Sequence, residues 1–215
     1  MISRQKLLDA AARIYGEYGF RGATTRRIAE EAGVNEVTLF RLFGSKSQLL
    51  AEAIRHHAPQ ADAHSALPET PSDPAREVSE WCQQQLTHMR DCRSLIRKAM
   101  GELEEHPELV PCMSKGPTSA YAQLVEYASR LPRSGPSLTE QESAAAATML
   151  FGALFADVMG RDIMPDLYPQ PAESAPALYA KLFLRTLGVA PAPSREPARR
   201  AASSRRRTRA SQSTT

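Results

Sequence analysis

The chain has 215 residues, 42% of them apolar and 24% charged, with a formal net charge of +3, enough apolar material for a small domain beside a larger one. No stretch approaches the roughly 18 apolar residues needed to span a bilayer, and the opening MISRQKLLDAAARIYGE is a charged amphipathic helix rather than a signal peptide, so a cytoplasmic protein with no membrane contact is expected. Three cysteines, Cys82, Cys92 and Cys112, are odd in number and widely spaced, which predicts small buried hydrophobes rather than a disulfide framework or a zinc site.

Residues 24 to 46, TTRRIAEEAGVNEVTLFRLFGSK, read as two short helices joined by a glycine turn. Thr24 or Thr25 caps the first, which sets Ile28, Ala29 and Ala32 on one face. Gly33 supplies the left-handed turn residue. Asn35 caps a second helix from about Glu36 to Phe43, in which Leu39 and Phe43, four apart, point inward. At about 100° per residue, Val37, Thr38 and Arg41 then share the opposite face. A methyl-bearing residue, a hydroxyl and an arginine near a helix N-terminus suit the major groove, where donors, acceptors and the thymine methyl distinguish bases. Thr25, Arg26 and Arg27 in the first turn of the leading helix, and Lys46 just past the second, are placed to grip phosphates. Glu36 has two readings: it favours the helix N-terminus through the dipole, or it accepts a hydrogen bond from a cytosine amino group.

Across roughly residues 3 to 56 the chain resembles the tetracycline-repressor (TetR/AcrR) type of bacterial transcription regulators. The resemblance rests on Leu7, Leu8, Ala10, Ala11, Ile14 and Tyr15 in a first helix, then Gly19-Phe20, Thr24-Thr25, Ile28-Ala29, Ala32-Gly33-Val34, Thr38-Leu39-Phe40, Phe43 and Ser45-Lys46. It departs from the common pattern at Phe40, where the family usually has a tyrosine, and at Leu42, where it often has a histidine. Phe40 thus lacks the hydroxyl that meets a phosphate, and its ring is left to pack against the sugar backbone. The resemblance implies a bacterial, all-α protein. Its three-helix helix-turn-helix DNA-binding domain would occupy residues 1–46, and a larger helical ligand-binding and dimerisation domain residues 47–189.

Beyond the head, Ser45 to Gln48 has the form of a capping box and starts a helix to about His57 that buries Leu49, Leu50, Ala53 and Ile54. A Pro/Ala/Ser-rich loop, 58 to 72, leads to Asp73-Pro74, a cap followed by proline at the first helical position. The next helix, to about Arg90, carries Val78, Trp81, Cys82, Gln85 and Met89 on one stripe. Further helices are expected over about 92 to 105, ending at His106-Pro107, and about 117 to 131. A second capping box, Thr139 to Glu142, opens a helix to about Asp162 that is apolar on nearly every side. One flank can pack on the chain's own core and the other, with its alanines and Gly152, on a second subunit; the plain alternative is that all of it is monomer core. The last helix, about 175 to 187, adds Leu178, Leu182, Phe183 and Leu187 and could complete a four-helix interface. A two-fold homodimer fits DNA reading, because two reading helices about 34 to 36 Å apart require a palindromic operator.

Trp81, Gln85, His88, Met89, Met100, Tyr121, Phe151 and Phe155 either line an apolar effector cavity or fill core. The resemblance implies release of DNA when a small molecule wedges the bundle, hence a ligand-released repressor with a hydrophobic effector. The alternative is a helical sensing or interaction protein whose head selects no DNA sequence. No cofactor, resident metal or catalytic site is expected. The five histidines show no ligand spacing beyond His56-His57, which successive helical positions splay apart, and no phosphate loop or nucleophile elbow occurs.

Charge divides along the chain. Residues 1–50 hold eight Lys and Arg against five Asp and Glu, residues 51–189 twelve against eighteen, and residues 190–215 seven against one. Only the ends suit nucleic acid. The Arg-rich tail from Ala190, without aromatic residues, is expected to be disordered, and serves either non-specific attraction to DNA or solubility.

Overall fold

The computed structural model describes residues 2–57, 66–132 and 138–189, and among these every regular element is a helix. The head consists of α1 (Ile2–Gly22), α2 (Thr25–Ala32) and α3 (Glu36–Phe43), and α4 (Lys46–His57) links it to the body. The body contains α5 (Pro74–Asp91), α6 (Arg93–Gly101), α7 (Val110–Arg130), α8 (Glu140–Gly160) and α9 (Ala175–Thr186). Residues 58–65 of the Pro/Ala/Ser loop and the arginine-rich tail lie outside the described residues.

Local chemistry sets most boundaries. Thr24, Asn35, Ser45, Asp73 and Thr139 each accept a backbone N–H from the first turn of the helix that follows. At Thr139 the box is complete, with Glu142 returning a carboxylate to the Thr139 N–H. Gly33 turns between α2 and α3 at φ 65°, and Gly19 bends the end of α1 at φ 70°, both in the left-handed region.

Two apolar clusters hold the chain. The first joins Leu7, Ala11, Ile14 and Tyr15 of α1 with Ile28, Leu39 and Phe43 of the head and Leu49, Leu50, Ala53 and Ile54 of α4; Leu95, Ala99, Leu109 and Cys112 from the body complete it. The second gathers Val78, Trp81, Cys82, Leu86 and Met89 of α5 with Leu124 and Tyr127 of α7, Leu150, Leu154 and Val158 of α8, and Phe183 and Leu184 of α9. Each fully buried side chain of this size contributes about 1.5–3 kcal/mol.

Two boundaries differ from the sequence expectation. Helix α6 stops at Gly101, with the chain turning over 102–105 before a 3-10 turn at Pro107–Leu109. Helix α7 begins at Val110 rather than near 117 and runs through Pro117. Pro111 sits in its first turn, where the missing N–H has no intrahelical partner to lose, and Leu109 and Cys112 anchor that turn in the first cluster. The burial of this anchor outweighs the hydrogen bond lost at Pro117.

The expectation that no stretch could span a bilayer is also corrected. Helix α8 is long and apolar enough by length and composition, with a mean hydropathy of 1.5 over its best 18 residues. Its place here is in the bundle, packed against α5, α7 and α9. Near its end a charged network crosses to neighbouring elements. Asp157 is fully buried, accepts 2.7 Å and 2.9 Å hydrogen bonds from Arg161 Nε and the Tyr179 hydroxyl, and faces Arg90. Burial alone would raise the Asp157 carboxyl; the Arg161 and Tyr179 hydrogen bonds outweigh it and hold the group below the usual carboxylate range.

Candidate nucleic-acid interface and internal cavity

Helix α3 buries Leu39 and Phe43 and turns its other side to solvent. Val37 is 72% exposed, Arg41 is exposed, and Thr38 lies half-buried between them. Arg41 has no hydrogen bond or ion pair among the described residues, so its five donors remain open to a partner. Phe40 is 47% exposed beside this face.

The residues expected to meet phosphates are already oriented by neighbours. Arg26 pairs with Glu30 at 2.9 Å. Arg27 donates to the Gly22 carbonyl at 3.1 Å, and its guanidinium lies 4.2 Å from the centre of the Tyr18 ring. The Thr25 hydroxyl donates to Glu36, so a single bond ties the first turn of α2 to the first turn of α3. That bond supports the helix-terminus reading of Glu36, whose charge also suits the N-terminal end of the dipole. Lys46 turns inward: its Nζ donates to the Phe20 carbonyl at 2.8 Å and lies 4.2 Å from that ring's centre, and burial lowers its pKa. The exposed Tyr18 ring that meets Arg27 carries no periodic signal in the sequence.

Between the two clusters lies a cavity of about 330 Å³. Of the eight residues proposed from sequence, Met89, Met100, Phe151 and Phe155 line it, beside Ile54, Leu95, Ile96, Leu103, Met113 and Pro117. Trp81 and Gln85 are instead buried on α5, Trp81 within the second cluster, and His88 and Tyr121 are also outside this lining. Tyr121 donates to the Ala144 carbonyl at 3.4 Å. The polar groups at the wall are His57, Ser114 and Cys92, and burial pushes the Cys92 thiol up to about 11, so it stays protonated at neutral pH. Cys82 and Cys112 are buried as expected of small hydrophobes.

On the outside of the body, α8 presents Ala145, Met149, Gly152 and Ala156 as one exposed stripe, with Met149 69% exposed and open space at Gly152. The exposed Leu178 and Leu182 of α9 lie beyond it, and a groove between the two helices is lined by Met149, Ala153, Tyr179 and Leu182.

Comparison with known proteins agrees with this geometry. Residues 7–53 match the family described as "Bacterial regulatory proteins, tetR family". The chain is 26% identical over 144 residues to the uncharacterized HTH-type transcriptional regulator YvkB of Bacillus subtilis (strain 168), covering 66% of this chain and 74% of that protein. It is 39% identical over 56 residues to the HTH-type transcriptional repressor AcnR of Corynebacterium efficiens, covering 26% of this chain and 30% of that one. A crystal structure of a transcriptional regulator from Rhodococcus sp. Rha1 shares the fold at a TM-score of 0.68 and 21% identity, over 87% of this chain and 99% of that chain. The helix-turn-helix head is thus similar to that of bacterial regulatory proteins of the tetR family, and the all-helical body shares the fold of the Rhodococcus regulator.

Proposed function

We propose that the protein is a cytoplasmic, homodimeric repressor that binds a palindromic operator and releases it when a hydrophobic small molecule enters the body. The observation that carries the reading is the solvent-facing row Val37, Thr38 and Arg41 on α3, with an arginine that has no partner among the described residues. Thr25, Arg26, Arg27, Phe40 and Lys46 flank that row as backbone contacts, the four polar ones through phosphates and Phe40 through its ring. The small-residue stripe of α8 with Leu178 and Leu182 of α9 supplies an apolar face for a second copy, which would set the two reading helices on a two-fold axis.

The cavity supports release by a ligand. Its wall is almost wholly apolar, so it suits a hydrophobic molecule with at most one or two polar groups. Leu103 lines it, and on either side of Leu103 stand Glu102 and His106, which contact Phe20 of the head. A ligand that displaces Leu103 would therefore load the contact that orients the head. The repressor sense follows the name of AcnR, which matches over 56 residues.

Selection of bound duplexes from a random pool tests the reading. A two-fold-symmetric consensus is expected. Recovery of no consensus would favour a sensing protein whose head selects no sequence, the reading that Phe40, lacking a phosphate-binding hydroxyl, allows.

A further inference from the structure

The link helix α4 ends in two adjacent histidines, and the fold brings a carboxylate from α1 to meet them. One ring nitrogen of His56, one of His57 and a carboxylate oxygen of Asp9 all lie within 4.8 Å of one another. Asp9 Oδ1 is 3.0 Å from His57 Nε2, yet this buried nitrogen is out of line for a hydrogen bond and has none among the described residues. The Gln5 side-chain amide stands on the other side, 2.8 Å from Asp9 Oδ1 and 2.9 Å from His56 Nε2.

We infer that Asp9, His56 and His57 form a site for a borderline first-row divalent cation, of which Zn²⁺ is the probe, bolting α1 of the head to the C-terminal end of α4. Two imidazoles and a carboxylate are a ligand set that Zn²⁺ accepts, with a fourth position left for water or for the Gln5 carbonyl after rotation of its amide. Zinc–ligand bonds of about 2.0–2.2 Å place tetrahedral ligand atoms roughly 3.3 Å apart. Asp9 and His57 already stand close to that separation, and the exposed His56 ring closes the remainder by side-chain rotation. The rings are 5.2 Å apart and nearly perpendicular, at 86°, so both can turn a nitrogen toward Asp9 although they are neighbours in sequence. A cation here also lies at the negative end of the α4 dipole. An ordinary Asp9–His57 ion pair would leave the unaligned nitrogen of His57 unexplained; a metal ion accepts its lone pair directly.

Full-length protein stripped of metal is titrated with Zn²⁺ against a chromophoric chelator, and with Co²⁺ as a spectroscopic substitute. One Zn²⁺ per chain is expected, with Co²⁺ absorption of nitrogen and oxygen ligation and a raised melting temperature. Asp9→Asn and His56→Ala, at positions outside the apolar clusters, are each expected to weaken Zn²⁺ by about tenfold or more, with unchanged circular dichroism. His57 lines the cavity and is left intact. The inference is overturned if the stripped protein takes up no Zn²⁺ at micromolar concentration, if both variants bind it as tightly as the parent, or if Co²⁺ gives thiolate charge-transfer absorption.

Discussion

Both carboxylate oxygens of Glu102 lie 3.1 Å from the backbone nitrogen of Phe20, so a residue of the body holds the main chain of the head. The His106 ring stacks on Phe20 with centroids 3.7 Å apart, and Lys46 holds the Phe20 carbonyl from the other side. Replacing Glu102 by alanine removes a hydrogen bond to a charged acceptor and is expected to cost about 1.5–3 kcal/mol in urea unfolding. The same change should alter operator affinity although it touches no DNA. Unaltered stability and affinity would show that the Glu102–Phe20 contact is idle.

Arg41 and Lys46 should respond differently. Arg41→Ala is expected to relax preference at one base position per half-site, costing about 1–3 kcal/mol on operator DNA and little on random DNA. Lys46→Ala is expected to weaken all sequences alike. Because Lys46 also holds Phe20, that variant should lose stability as well, which Arg41→Ala should not. Binding isotherms on operator and scrambled duplexes, with melting curves for both variants, check the pair; parallel losses on both duplexes for Arg41→Ala would remove it from base reading.

The exposed faces of α8 and α9 provide a third test. Met149→Glu combined with Leu182→Glu puts two charges where water already reaches in the protomer, so the protomer should keep its helical content. Sedimentation should then report a monomer, and operator affinity should fall by at least about a hundredfold as two-fold avidity is lost. A variant that still sediments as a dimer would move the interface elsewhere.

Acid should act through Glu77. Burial works against its charge, but the backbone N–H groups of Asp73 and Ser72 and the hydroxyls of Tyr127 and Ser72 outweigh it and hold the carboxyl at about 2, below the ordinary 4.5. A depressed folded-state pKa contributes stability that is complete above 4.5 and lost as pH falls through 2. Glu77→Gln should therefore lower stability at neutral pH by about 1–3 kcal/mol and flatten the loss between pH 4.5 and 2. An unchanged acid limb in pH-resolved unfolding would assign that loss to other carboxylates.

The head was legible from sequence because its signals are local. Caps at Thr24 and Asn35, the left-handed Gly33 and the four-residue spacing of Leu39 and Phe43 act within a few residues of one another, and each is found where it was placed. The body was less legible because its packing depends on separate helices. Met89 and Trp81 occupy one stripe of α5, yet only Met89 reaches the cavity wall; helix periodicity gives the face but not the neighbour opposite it. The helix expected from about 117 begins at Val110 instead, because burial of the distant Leu109 and Cys112 carries it back through Pro117. Asp157 passed unnoticed inside an apolar helix, although Arg161 four residues on was a usable clue. Asp9 and His56 are far apart in sequence, and no periodicity connects them.

The first apolar cluster draws on Leu95, Ala99, Leu109 and Cys112 of the body to close over α1. A chimera cut at residue 46 would strip those four side chains from the transplanted piece and leave the back of α1 wet. Exchange of operator preference between relatives is thus easier by replacing the surface of α3 than by moving the whole head, and a transplant that keeps its fold has to carry α4, α6 and the start of α7 with it.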